Sequence, residues 1–312
     1  MSTQFQHISS IGSKDRVSSL EDNIKSFLDW SFLNIGGYVN VSIPTSGINT
    51  SSNFSILKPV NNPSVPSGRT WEAVRKDWVY ESGINYNTNS PVVFSGVYLN
   101  STFLPAPTGS GNHGYSVNYP LGRINFSFNV ASTSTVVASY SHKYIQIYKS
   151  SDAAWWKEVQ KETYNPDNFK QTNDYSIASN HRVQLPAIIL ELIPRTVLSP
   201  YQLGTTENIV IQDLLLHIFT QNASQRNSII DTLLLQKDNT FWLYDTNQVV
   251  KENKTELKLS GEINPSGINY PAAVNLYKNH WVTIKNSTIV ELNTLSSSLY
   301  NGVVRWSMEI LP

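Results

Sequence analysis

The sequence predicts an α+β protein that is predominantly β: an antiparallel β-sandwich or barrel domain followed by a smaller α+β sheet domain with one covering helix. Three observations carry this reading. From Tyr38 to Tyr148 the chain is built of Val, Ile, Phe, Tyr, Ser, Thr and Asn, with Pro and Gly punctuating short runs, which is the grammar of antiparallel strands. Ala187–Ile193 is a near-continuous apolar run between Pro186 and Pro194, as in a strand buried on both faces, and an amphipathic segment follows at Asn222–Gln236. The length of 312 residues suggests two domains at roughly 100 to 200 residues each, and 40% apolar residues suffices for two cores. The boundaries read from the composition are an arm and helix over 1–37, an antiparallel β domain over 38–150, a helical and polar junction over 151–180, and an α+β domain over 181–312.

Ser18-Ser19-Leu20-Glu21 has capping-box spacing, so a helix begins there. Leu20, Ile24, Phe27, Leu28 and Phe32 form its apolar stripe, packed on its own domain or on a neighbouring subunit, and Gly36-Gly37 ends it. Val39–Ile43 alternates as a strand, and Thr45–Arg69 reads as a long surface loop or interaction arm. One or two helical turns and an irregular strand fit Trp71–Trp78 equally well. Val92–Phe94 leads to Val97–Leu99, Tyr115–Tyr119 alternates as a strand, and Tyr119-Pro120-Leu121-Gly122 reverses the chain as a type I turn into Arg123–Phe128. Thr135–Tyr140 and Lys143–Tyr148 complete the β domain, and Ser151–Lys161 favours a short helix with Asp152 near its positive end.

In the second half Ile209–Thr220 is long enough for a second strand, although Leu214-Leu215-Leu216 also fits a helix. The following helix turns Ile229, Ile230, Leu233 and Leu234 inward and Gln225, Arg226 and Asp231 outward. Phe241–Tyr244 is the next strand. Trp281–Ile284 and Ile289–Leu292 flank Lys285-Asn286-Ser287-Thr288 as a hairpin, and Val303–Ile310 closes the sheet.

Charge is sparse and balanced: 23 basic against 23 acidic side chains, 15% of the chain, where about 25% is usual. A binder of nucleic acid needs clustered Lys and Arg, so that class is disfavoured. With no cysteine there is no disulfide framework, thiol nucleophile or iron–sulfur site. Met1–Ser13 lacks the basic and apolar regions of a signal peptide, and no apolar run approaches the ~20 residues of a membrane span. Neither export by that route nor a membrane partner is expected.

Catalytic chemistry is equally hard to place. None of the six histidines lies at metal-ligand spacing from another; His217 reads as a hydrogen-bonded sheet residue and His113 as an exposed loop residue. Gly109-Ser110-Gly111-Asn112-His113-Gly114 lacks the Lys and helix of a phosphate loop. Glu72, Asp77 and Glu81 read as a solvated surface rather than a hydrolytic pair. Trp155-Trp156 fits either a hydrophobic clamp at the junction or a sugar-stacking platform. No catalytic, metal or cofactor-binding residue is assigned.

Three ordered stretches carry a family resemblance. They are Gly96–Asn100 with Tyr119–Phe126 and Ser139–Tyr144; His181–Ile189; and Pro200–Gly204 with Gln212–Ile218 and Leu235–Asp245. Together they resemble virion structural proteins of tailed bacteriophages, of the neck or head-to-tail connector type. The resemblance implies a non-enzymatic subunit made in the bacterial cytoplasm and carried in the virion. It implies a homo-oligomeric ring between portal and tail, with portal or adaptor and tail proteins as partners and no sequence-specific nucleic acid. Candidate inter-subunit contacts are Phe5 and Ile8 in the arm, Val60 and Val65 in the long loop, Gly109, Gly111 and His113 in the Gly-rich loop, and Trp155 and Trp156. The alternative is a carbohydrate-binding or host-recognition β module.

Overall fold

The computed structural model describes residues 19–43, 54–61, 65–86, 90–107, 114–153, 184–201 and 208–311. It is a β-rich α+β fold, 45% strand and 17% helix, built on curled antiparallel sheets.

Helix α1 (Leu20–Asn34) buries Leu20, Ile24, Leu28 and Phe32 along the expected stripe. Ser18 of the expected capping box lies outside the described residues. The helix ends in a Schellman motif, the Gly37 N–H donating to the Phe32 carbonyl at 2.8 Å and the Gly36 N–H to Leu33 at 3.1 Å. Gly36 takes φ +87°, and a Cβ there would lie 2.7 Å from the Tyr86 ring, so both backbone and space require glycine.

The first strands are β1 (Tyr38–Val41), β2 (Ile56–Pro59), β3 (Thr70–Glu72), β4 (Gly96–Leu99), β5 (Thr102–Pro105), β6 (Tyr115–Asn118), β7 (Arg123–Phe126), β8 (Val136–Ala138) and β9 (Tyr140–Lys143). They form a seven-stranded sheet in the order β5-β4-β8-β2-β3-β7-β6, with β1 paired to β9 beside it. The sheet curls until its two ends meet: the Tyr115 hydroxyl on β6 donates to the carbonyls of Leu104 and Pro105 on β5, at 3.1 and 2.7 Å. The turn at Tyr119–Gly122 closes as expected, Gly122 N–H to Tyr119 carbonyl at 3.2 Å. Trp78, stacked on Tyr140 at 4.3 Å, lies at the centre of the enclosed core. Two expectations are refined here. The Thr45–Arg69 stretch contains β2, and Trp71 sits on a short strand while Trp78 follows it after a turn.

The second sheet comprises β10 (Gln146–Lys149), β11 (Ala187–Pro200), β12 (Asn208–Thr220), β13 (Thr240–Tyr244), β14 (Lys278–Ser296) and β15 (Leu299–Leu311), with helices α2 (Ala223–Leu234), α3 (Thr246–Lys251) and α4 (Tyr270–Leu276). Its order is β10-β11-β12-β15-β14-β13, antiparallel except that β10 runs parallel to β11. The strand expected over Lys143–Tyr148 is thus divided between two sheets, because Lys143 ends β9 while Gln146 begins β10. α1 and α2 cover one face of this sheet, over a core that includes Ile188, Leu214, Val304, Trp306 and Met308. Ala187–Leu190 is buried on both faces, as its apolar run predicts.

Three sequence readings are overturned. There is no hairpin over 281–292: β14 runs unbroken through Lys285–Thr288, with a bulge at Lys285, and the reversal falls at Ser296–Leu299. The polar run is compatible with a strand because Lys285 pairs with Glu309 at 2.9 Å while Ser287 bonds the Leu233 carbonyl of α2. Arg226 is buried rather than outward, its guanidinium donating to the Asn293 carbonyl at 3.0 Å beside the Tyr300 ring. Glu72 and Glu81 are also buried rather than solvated, each against a cation: Arg123 lies 2.5 Å from Glu72 and Lys143 2.6 Å from Glu81.

The Lys143 cluster joins the two halves of the molecule. Its ammonium, at the end of β9 and 2% exposed, lies 3.4 Å from Asp29 on α1 and 4.9 Å from the centre of the Tyr80 ring. Burial opposes that charge, but Asp29 and Glu81 outweigh it and hold the Lys143 pKa well above the usual value. Burial likewise disfavours the Asp29 carboxylate, yet Lys143 and Lys25 bring its pKa below normal. The ion pairs of Lys143 with Asp29 and Glu81 therefore pin α1, which packs on the second sheet, to the β9 end of the first.

Candidate assembly interface

The most distinctive surface lies on the edges of the six-stranded sheet. β14 is 19 residues long, but its outer neighbour β13 pairs only as far as Thr283, opposite Thr240. Ile284 is still bonded on that side by the Asp238–Asn239 turn, at 2.7 and 2.9 Å, and from Lys285 through Ser296 the outer edge of β14 has no partner strand among the described residues. On the opposite side of the sheet β10 pairs with Ala187–Leu190 and Glu21 of α1 accepts from the Leu192 N–H, so that among the described residues the outer edge of β11 has no partner strand from Ile193 to Pro200. The register places these open edges at diagonally opposite corners. Ala187 lies level with Phe219 and Pro200 with Asn208, whereas Trp281 lies level with Leu311 and Ser296 with Leu299.

Both corners expose apolar side chains. Leu198 is 64% exposed, with Val197 and Tyr201 beside it; Ile289 is 46% and Leu292 49% exposed, with Val290 between them. Cross-strand register fixes their faces. Leu198 stands opposite the core residue Val210, Ile289 opposite the core residue Val304, and Leu292 opposite Gly302, whose Cβ position is filled by Ile230 of α2. All three therefore belong to the helix-covered face and are partly exposed there.

The other face of the sheet carries a small apolar cluster of Ile189 and Phe219 with Ala153, and beside it polar groups that are internally paired. Arg305 bonds Asp213, and His217 Nε2 lies 2.8 Å from Glu191. Burial lowers the His217 pKa and the Glu191 hydrogen bond only partly restores it, so His217 is neutral at pH 7, the hydrogen-bonded sheet histidine its sequence context suggests. No group of three or more His, Asp or Glu side chains among the described residues is placed to hold a metal. No helix among them is long and apolar enough to cross a membrane.

No family model and no curated protein matches this chain.

Of the contacts expected from sequence, Val60 is 9% exposed and its N–H is bonded to the Thr70 carbonyl, which leaves little side chain for a neighbour. Val65 is half-buried. Phe5, Ile8, Gly109, Gly111, His113, Trp155 and Trp156 lie outside the described residues. Sequence reasoning missed Leu198, Ile289 and Leu292. The available signal was Thr288-Ile289-Val290-Glu291-Leu292, which is apolar too often for a strand with one solvated face.

Proposed function

We propose that this chain is a non-enzymatic structural subunit that assembles with copies of itself, and that the assembly is a ring in the neck of a tailed-phage virion, between portal and tail. The observation that carries the assembly reading is the pair of open, apolar-flanked edges at opposite corners of one sheet. Prolines and bulges blunt parts of both edges but leave a regular, unpaired run on each among the described residues, and closed rings need two different complementary faces on each subunit. The neck placement is supported by the ordered sequence resemblance alone.

Native mass spectrometry of the purified chain tests the first part, with discrete multiples of 35.0 kDa expected. Peptide mass mapping of purified particles tests the second; a chain found only in the soluble lysate and never in particles removes the virion assignment.

The carbohydrate-binding alternative has one observation in its favour. A crevice of about 410 Å³ between the β1–β9 pair and the start of α2 is lined by Asn40, Arg75, His142, Tyr144, Gln184 and Gln225, groups suited to hydroxyl-rich ligands. Saturable binding on a glycan array, lost in Gln184→Ala, would favour that reading.

A further inference from the structure

We infer that successive copies join head-to-tail by adding the open edge of β11 from one copy to the open edge of β14 of the next, so that the helix-covered apolar face runs on from subunit to subunit. This rests on the assembly reading and specifies the contact.

Four features make the two edges fit each other better than either fits itself. The first is direction. Within the sheet β11 and β14 run oppositely, since β11, β12, β15 and β14 are successively antiparallel. A neighbour in the same orientation, as rotation about a ring axis requires, therefore presents β11 antiparallel to β14.

The second is length. Pro194 and the bulge between Leu192 and Thr196 close that part of β11 to pairing and leave the regular run Thr196–Ser199 before Pro200. On β14 the bulges at Val290 and Leu295 delimit the run Glu291–Thr294, also four residues long.

The third is face. Leu198 and Leu292 both lie on the helix side of their sheets, so the pairing buries them against each other on one continuous apolar surface.

The fourth is clearance. β13 and the turn before it cover β14 only up to Ile284, and β10 with Glu21 of α1 covers β11 only up to Leu192. With Leu198 beside Leu292, the neighbour's β10 falls beyond the Ser296–Leu299 reversal, and β13 stays clear of the added strand. An isologous β14–β14 pair lacks this reciprocity, because it leaves both β11 corners exposed.

The absence of cysteine allows a direct test in the full-length protein. Disulfides form only where Cα atoms approach within about 7 Å, and both positions are exposed, so substitution leaves the core intact. Under oxidation the double variant Leu198→Cys/Leu292→Cys is expected to give a ladder of covalent multimers. The single variants Leu198→Cys and Leu292→Cys are expected to give none. A dimer from Leu292→Cys alone, an intrachain disulfide, or normal multimers by native mass without any ladder each overturns the β11–β14 contact while leaving the assembly reading intact. A protein that is monomeric by native mass in wild type and all variants overturns both.

Discussion

At the scale of single residues, the dominant energetic feature is the enclosed ion network around Lys143. A buried ion pair adds little over a well-packed apolar pair, but removing one member strands the other without compensation. Lys143→Met leaves Asp29 and Glu81 close together without their shared cation. We expect a loss of about 3–5 kcal/mol in urea unfolding, and Glu81→Gln to be milder because Asp29 still balances the ammonium.

A second residue sets a pH dependence. Burial, reinforced by Glu81, pushes Glu256 from 4.5 up to about 8, and burial pushes Asp77 from 3.8 to about 6. For an acid whose pKa is raised on folding, the native state holds a proton that the unfolded state has released. The associated stability is complete below the unfolded pKa and is lost as pH rises to the folded one. Stability should therefore fall between pH 3.8 and about 6 through Asp77 and between pH 4.5 and about 8 through Glu256, by at most about 1.4 kcal/mol per pH unit for each group. Glu256→Gln should flatten that slope above pH 6, which denaturation midpoints across the range would reveal. None of this was legible in sequence: Glu72, Asp77 and Glu81 are ordinary acidic residues until the fold brings Lys143 and Arg123 to them.

At the scale of elements, legibility depended on whether the deciding interaction was local. α1, the Tyr119–Gly122 turn and α2 were readable because periodicity and turn residues act within a few positions. α2 begins at Asn222, whose side chain accepts from the Gln225 N–H at 2.8 Å. The stop at Gly36-Gly37 is equally local, and it gives a sharp prediction. Gly36→Ala must force a Cβ into a left-handed position already occupied by Tyr86, so we expect a loss of at least about 1 kcal/mol in the unfolding free energy. Gly68, with φ +71° and its nearest neighbour 3.4 Å away, should lose less on the same substitution. β14 was misread for the converse reason. Lys285–Thr288 has turn composition, and only the distant partners Glu309, Leu233 and Arg305 hold it in a strand. Arg226 was assigned outward by the same local logic, which could not foresee backbone carbonyls at Asn293 and Asn301 to receive it.

At the scale of the whole molecule, the open corners of the second sheet dictate how copies can combine. A head-to-tail contact uses two different surfaces per subunit, so damaging either one stops growth at that end and leaves the other competent. A lysine on an exposed strand edge is the usual protection against strand addition. Leu198→Lys and Leu292→Lys, both at exposed positions, should each reduce the protein to monomer with thermal midpoints close to wild type. The mixture distinguishes this geometry from any symmetric alternative. Leu198→Lys retains an intact β14 edge and Leu292→Lys an intact β11 edge, so equimolar mixing should produce heterodimers and nothing larger. Native mass spectrometry with one variant isotopically labelled reads this directly. If the contact were isologous through β14, Leu198→Lys would assemble normally by itself and mixing would add no new species. A ring closed through another surface would tolerate both substitutions.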